Sequence, residues 1–223
     1  MSTRNFAIAL SLLLSVSAGM ISCSGKSVDQ SDPGSLLKDA EDEISSDHYQ
    51  VALDKLKEIK NKYPYSKFAI DAQIRIADVY YMQESFPEAA LAYESFRDLH
   101  PKHEKAGYAM FRIGKSYFND LPSTVARDLT PAAKAQDAYN AFLLRFPTAP
   151  EAEEARKDLV TVRNTLADKE LYVGDFYFKR DFYESAKPRY EKVIALYPET
   201  AAAKTAKDKL DRIAEVAAKT GEK

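Results

Sequence analysis

The chain has 223 residues, 45% hydrophobic and 30% charged, a balance ordinary for one soluble domain or one elongated array. A net charge of −2 argues against nucleic acid as a partner, and seven glycines with no G-x-x-x-x-G-K or G-x-G-x-x-G exclude the usual phosphate-cradling loops. Ala, Lys, Glu, Asp and Leu dominate, a helix-forming mixture; Trp is absent, while 14 Tyr and 11 Phe supply the bulk.

In chain order, the first element is a targeting segment. Arg4 gives a short positive start, Phe6 to Ile21 is apolar or small, and no charged residue stands between Arg4 and Lys26. The apolar run is too short for a membrane span and reads as a signal peptide over residues 1–22. The sole cysteine, Cys23, follows in Met20-Ile21-Ser22-Cys23. This resembles the bacterial lipobox, although Leu is usual where Met20 stands. The resemblance implies acylation of Cys23, anchoring by acyl chains at about 0.8 kcal/mol per buried CH₂. Ser24, where inner-membrane lipoproteins often carry Asp, implies the periplasmic face of the outer membrane. Residues 23–34, with Gly25, Ser31, Pro33 and Gly34, read as the lipidated cysteine and a flexible tether.

The remainder repeats. Four segments end in an aromatic or His before Pro: Tyr63-Pro64, His100-Pro101, Phe146-Pro147 and Tyr197-Pro198. Twelve residues before each Pro stand Ala52, Ala89, Ala135 and Ala186; eight before stand Leu56, Tyr93, Tyr139 and Tyr190; five before stand Ile59, Phe96, Phe142 and Val193. Upstream comes a small residue, Ala40, Ala77, Gly114 or Gly174, followed after three residues in the last three copies by Tyr80, Tyr117 or Tyr177. The pattern resembles the tetratricopeptide repeat and predicts an all-α solenoid of helical hairpins. Small residues let two helices approach, larger ones fill the space beside them, and Pro stops the second helix. One hairpin cannot bury its apolar face alone, so several stack.

The array spans 35–218, with repeats at 35–66, 69–102, 106–148 and 167–199, an extra helix at 151–166 running into the last repeat, a capping helix at 201–218 and a tail at 219–223. Two departures stand out. Gly114 to Ala135 is 21 residues where the other copies give 12, which places an insertion within 119–131. Pro147 to Pro198 is 51 residues, too long for one repeat, hence the extra helix. Pro188 is tolerable if its helix starts near Ser185 and otherwise kinks it.

Catalytic patterns are missing. His100 and His103 straddle a turn, His48 stands apart, and too few ligands lie nearby for a metal. No Ser-His-Asp or Cys-His set is visible, and the carboxylates alternate with Lys and Arg as solvated helix faces do. A binding scaffold without cofactor, not an enzyme, is expected.

In the repeat geometry the first helix of each hairpin lines a concave groove. Four residues after each small residue stand Ile44, Tyr81, Phe118 and Phe178; one residue after stand Glu41, Asp78, Lys115 and Asp175. Such a groove suits an extended peptide with aromatic side chains and some basic character. The same aromatics equally suit packing beneath neighbouring helices. The insertion, carrying Asp120, Arg127 and Asp128, is long enough to be a contact loop.

Taken together, Tyr63-Pro64-Tyr65-Ser66, Ala77 to Tyr81, Phe96 with His100-Pro101-x-His103, Tyr108 with Gly114, Arg127-Asp128 before Pro131, Ala138 to Pro147, the long helix reaching Phe176-Tyr177, and Arg180 to Pro198 resemble the BamD family of outer-membrane lipoproteins. The resemblance implies binding to the POTRA domains of a BamA-like barrel subunit, association with other Bam lipoproteins, and reception of the C-terminal signals of unfolded barrels. It also implies that Arg189 faces the barrel subunit. The family often has a further hairpin after the last Pro, where only one helix fits here. The alternative is another repeat lipoprotein, serving pilus assembly or the Tol system.

Overall fold

A computed structural model describes residues 32–221, so the signal peptide, Cys23 and most of the tether lie outside the described residues. Within them the chain forms α1 (Pro33–Ser45), α2 (Tyr49–Lys62), α3 (Lys67–Met82), α4 (Phe86–Leu99), α5 (Ala106–Asn119), α6 (Thr130–Arg145), α7 (Ala152–Phe178), α8 (Tyr183–Leu196) and α9 (Ala201–Gly221). No described residue is in a strand. Each helix packs on the next, and α1 also touches α3, α5 touches α7, and α7 touches α9. This is an all-α stack of tetratricopeptide-like hairpins.

Local chemistry sets the ends. Asp32 accepts the Ser35 N–H at 2.8 Å and Ser66 that of Ala69 at 3.2 Å, each capping a helix start. The Asp32 cap starts α1 at Pro33, so Pro33 and Gly34, expected in the tether, are helical. Each second helix ends alike: Tyr63, His100, Phe146 and Tyr197 donate their N–H groups to the carbonyls of Ile59, Phe96, Phe142 and Val193. The following Pro keeps those four residues out of the helical region.

The recurring positions are the core. The four alanines, the Leu56 and Tyr series and the Ile59 and Phe series are 0–1% exposed. Where the second helix carries Tyr139 or Tyr190, the opposing small residue is glycine for a steric reason. A Cβ on Gly114 would lie 2.6 Å from Tyr139 Cδ1, and one on Gly174 2.6 Å from Tyr190 Cε1.

Three hairpins turn tightly, through a residue in the left-handed region at one repeat position: Asp47 (φ 59°), Glu84 (φ 58°) and Asp181 (φ 60°). Tyr49 and Tyr183 donate their hydroxyls to Asp47 and Asp181, both at 2.7 Å. The third hairpin opens instead into residues 120–129; Asn119 still belongs to α5, and Thr130 and Pro131 to α6.

The long helix α7 splices two cores. Ala152, Ala155 and Val162 join the core of the second and third hairpins, whereas Ala167 joins that of α8 and α9. The helix α8 begins at Tyr183, two residues before the start that would accommodate Pro188. Pro188 therefore lies inside it and withholds the N–H that the Glu184 carbonyl would accept. The last helix continues through Gly221, into the expected tail.

Candidate binding face

The first helices share a face crossed by a polar ladder. Arg75 on α3 grips Glu41 of α1 bidentately, Nε to Oε1 at 2.7 Å and Nη2 to Oε2 at 2.6 Å, and donates to Asp78 at 2.9 Å. Asp78 Oδ1 accepts the hydroxyls of Tyr93 at 2.6 Å and Tyr108 at 2.9 Å. Lys115 on α5 reaches Glu154 at 2.6 Å and Asp158 at 2.8 Å on α7. Burial, with the nearby Asp78 charge, pushes the Tyr108 phenol up to about 12 and the Tyr93 phenol higher, so both remain donors.

These contacts correct the expected groove. Ile44 is 8% exposed and packs in the first core, and Asp78, 7% exposed, is enclosed by its donors. Glu41 is held by Arg75, and Asp175 accepts the Tyr190 hydroxyl at 2.7 Å beside Lys209 at 3.3 Å. The acids that were to attract basic character in a client thus serve internal partners. The spacing rule placed them on the right helices, but whether a carboxylate meets solvent or a buried hydroxyl is decided by the second helix.

The three aromatics are half-buried rings, each beneath a cation. Arg112 lies 3.5 Å from the Tyr81 ring centroid, Lys115 5.1 Å from that of Phe118, and Lys209 4.5 Å from that of Phe178. Asn119 donates to the Tyr81 hydroxyl at 2.7 Å, and Phe86 meets that ring edge-on. Phe178 packs against Tyr183 and Tyr190. Arg112 and Lys209 were missed from sequence because each belongs to a different helix from its ring; Lys115, named from sequence, shares α5 with Phe118.

The insertion is ordered by α7. Lys169 Nζ donates to the carbonyls of Val125 at 2.8 Å, Arg127 at 3.0 Å and Ala126 at 3.3 Å, while Leu129 is buried. Arg127 is exposed; Asp128 is too, and its carboxylate accepts the Thr130 N–H and hydroxyl at the start of α6. Burial raises the Asp120 pKa, and the neighbouring Glu88 adds to it. Arg189 pairs with Glu170 of α7 at 2.9 Å, beside Lys192 at 2.5 Å. Burial pushes the Glu170 carboxyl up, but the two cations outweigh it and lower its pKa overall. Asp120, Arg127 and Asp128 thus share the insertion, and α7 holds both the insertion and Arg189.

Among the described residues no group of three or more His, Cys, Asp or Glu could hold a metal ion, and no helix is long and apolar enough to cross a membrane. The stacked hairpins and their shared ladder define a helical-repeat protein of the tetratricopeptide type. The chain belongs to the YfiO family, outer membrane lipoproteins, whose pattern matches residues 29–221. Relatives carry the name outer membrane protein assembly factor BamD. That of Neisseria meningitidis serogroup A is 32% identical over 175 residues, covering 74% of this chain and 65% of its own length. That of Vibrio cholerae is 28% identical over 206 residues, 88% of this chain and 83% of its own. That of Caulobacter vibrioides is 27% identical over 191 residues, 83% and 62%. The chain therefore spans just under two thirds of the neisserial and caulobacterial relatives.

Proposed function

We propose that this protein is a non-enzymatic scaffold in the assembly of outer-membrane β-barrel proteins. Acylated Cys23 holds it at the periplasmic face of the outer membrane. It docks on the POTRA domains of a BamA-like barrel subunit, alongside other Bam lipoproteins, and receives extended C-terminal segments of unfolded barrels on its first-helix face. The observation that carries the client reading is the recurrence of Tyr81, Phe118 and Phe178, half-buried rings at one repeat position. The relatives' shared name supports the assembly role. A rigid aromatic offers large contact area at low entropic cost, and a client's terminal aromatic fits among them. The docking side is assigned to Asp120, Arg127 and Asp128 of the insertion with Arg189, two regions held to α7 by Lys169 and Glu170.

Purification of the tagged chain from detergent-extracted membranes tests the assembly role. A barrel subunit and its lipoproteins are expected to come with it; a pilus or Tol component in their place sinks the proposal. Shortening 120–129 to a tight turn is expected to weaken that recovery. Cys23→Ser is expected to release the chain from membranes when the barrel subunit is absent. For the client site, Phe118→Ala is expected to weaken binding of a synthetic barrel C-terminal peptide about thirtyfold, the equivalent of about 2 kcal/mol for an aromatic anchor. Binding of the barrel subunit should be spared. Melting is measured in parallel, because a loss that only tracks unfolding assigns the ring to the core.

A further inference from the structure

Arg75 and Arg112 occupy the same repeat position, two residues before Ala77 and Gly114. Their surroundings differ. Arg75 has two carboxylates, Glu41 from the preceding hairpin and Asp78 from its own helix. For Arg112 the corresponding two residues are Asp78 and Lys115. Asp78 is already taken by Arg75, Tyr93 and Tyr108, and Lys115 is a cation. Arg112 is consequently left without a carboxylate. The other half-buried arginines among the described residues, Arg75, Arg97, Arg163 and Arg189, each have one within 2.9 Å.

The Arg112 side chain is nonetheless held in place. Its guanidinium stacks 3.5 Å from the Tyr81 ring centroid, and Nε donates to the Tyr93 hydroxyl at 3.2 Å. Neither Nη has a hydrogen-bond partner among the described residues, and neither is sealed from solvent. A cavity of about 410 Å³ is lined by Ile74, Arg75, Asp78, Lys105, Glu41 and Tyr108, and Tyr108 links it to Arg112, its ring centroid lying 5.6 Å from the guanidinium carbon. A guanidinium is always charged, and its two Nη groups form an edge that matches a carboxylate. One hairpin earlier, Arg75 holds Glu41 bidentately through its other edge, Nε and Nη2; in Arg112 Nε is taken by Tyr93, which leaves the Nη edge.

We infer that Arg112 is the receptor for a carboxylate of an extended chain lying on this face, with the cavity beside Tyr108 taking the adjoining side chain. This rests on the client reading above and names the chemical group that reading leaves open. The carboxylate has two sources, a chain terminus or an acidic side chain, and the probes separate them.

The whole chain, kept in detergent, is titrated with N-acetylphenylalanine, with its amide, and with N-acetylaspartic acid α-amide, and binding is followed on the probe's NMR signals. The free acid is expected to bind at least tenfold more tightly than the amide. The aspartate probe matching the free acid assigns an acidic side chain as an equal ligand; its failure assigns the chain terminus. Arg112→Gln is expected to erase the preference for acid over amide. Arg112→Lys, which keeps charge without the fork, should retain only part of it, and Arg180→Gln, an exposed arginine on Phe176, all of it. Equal binding of acid and amide, absence of binding by either, or a tenfold preference surviving in Arg112→Gln while helicity is native overturns the inference. A barrel C-terminal peptide is run alongside. If the small acid discriminates and the peptide fails to bind, the client reading falls and the carboxylate site stands. If the peptide binds equally as acid and amide, the client reading stands and the site falls.

Discussion

The second and third hairpins solve the same packing problem with different partners. In the second, Tyr93 from α4 crosses to Asp78 on α3, so the hairpin satisfies its own buried hydroxyl. The fourth does likewise, with Tyr190 and Asp175. In the third, Lys115 stands where the acid would be, and Tyr139 turns to Asp158 of α7 at 2.7 Å. Lys115 binds the same carboxylate oxygen at 2.8 Å. The insertion of this hairpin is also fastened from outside, by Lys169 of α7. A single change of charge sign at one repeat position thus makes the third hairpin dependent on the long helix, which ties the middle of the array to its C-terminal end. It also leaves Arg112 unpaired.

Removal of the shared acid should break this dependence most sharply. Asp158→Ala leaves the 0%-exposed Tyr139 without its acceptor and Lys115 with Glu154 alone, and is expected to destabilise by about 1.5–3 kcal/mol, the range for a hydrogen bond to a charged group. Urea unfolding measures it. A cost below about 0.5 kcal/mol, within the noise of surface changes, means the third hairpin closes without α7.

The glycine crossing sharpens the comparison at intermediate size. In Gly114→Ala the new methyl meets the Tyr139 ring at 2.6 Å, and overpacking of about 1–3 kcal/mol outweighs a helix-propensity gain of about 1 kcal/mol or less. Gly107→Ala, in the same helix, meets Phe146 only at 3.5 Å and is expected to be neutral or slightly stabilising. Thermal melts of the pair decide it: equal shifts mean the ring gives way and glycine is not required.

The smallest effect concerns the turns. Glu84 holds a left-handed conformation without the hydroxyl contact that Tyr49 and Tyr183 give Asp47 and Asp181. Glu84→Asn is expected to stabilise by a few tenths to about 1 kcal/mol, because Asn tolerates that region better. An unchanged or lowered melting midpoint means the turn carries no such strain.

The sequence determined the repeat and most of its core. Ala52, Tyr93, Phe142 and their counterparts recur at fixed distances because each must fit the same crossing, and a steric demand repeated four times leaves a periodic trace. Gly114 and Gly174 against Tyr139 and Tyr190 belong to that trace, as does the lengthened third hairpin. The Asp-x-Tyr turns at Asp47 and Asp181 were equally present in the sequence, but two short copies have little weight until a left-handed backbone is seen at both. The site was less legible. Spacing put Glu41, Asp78, Lys115 and Asp175 at one position, and only the tertiary structure decided that Asp78 is enclosed, that Lys115 turns to α7, and that Arg112 has no acid to meet. Those outcomes depend on which side chains arrive from helices 15 to 43 residues away. The reason is physical: burial of an apolar residue is a property of one helix face and repeats with it, whereas satisfaction of a charge belongs to a pair and depends on the partner that the fold delivers.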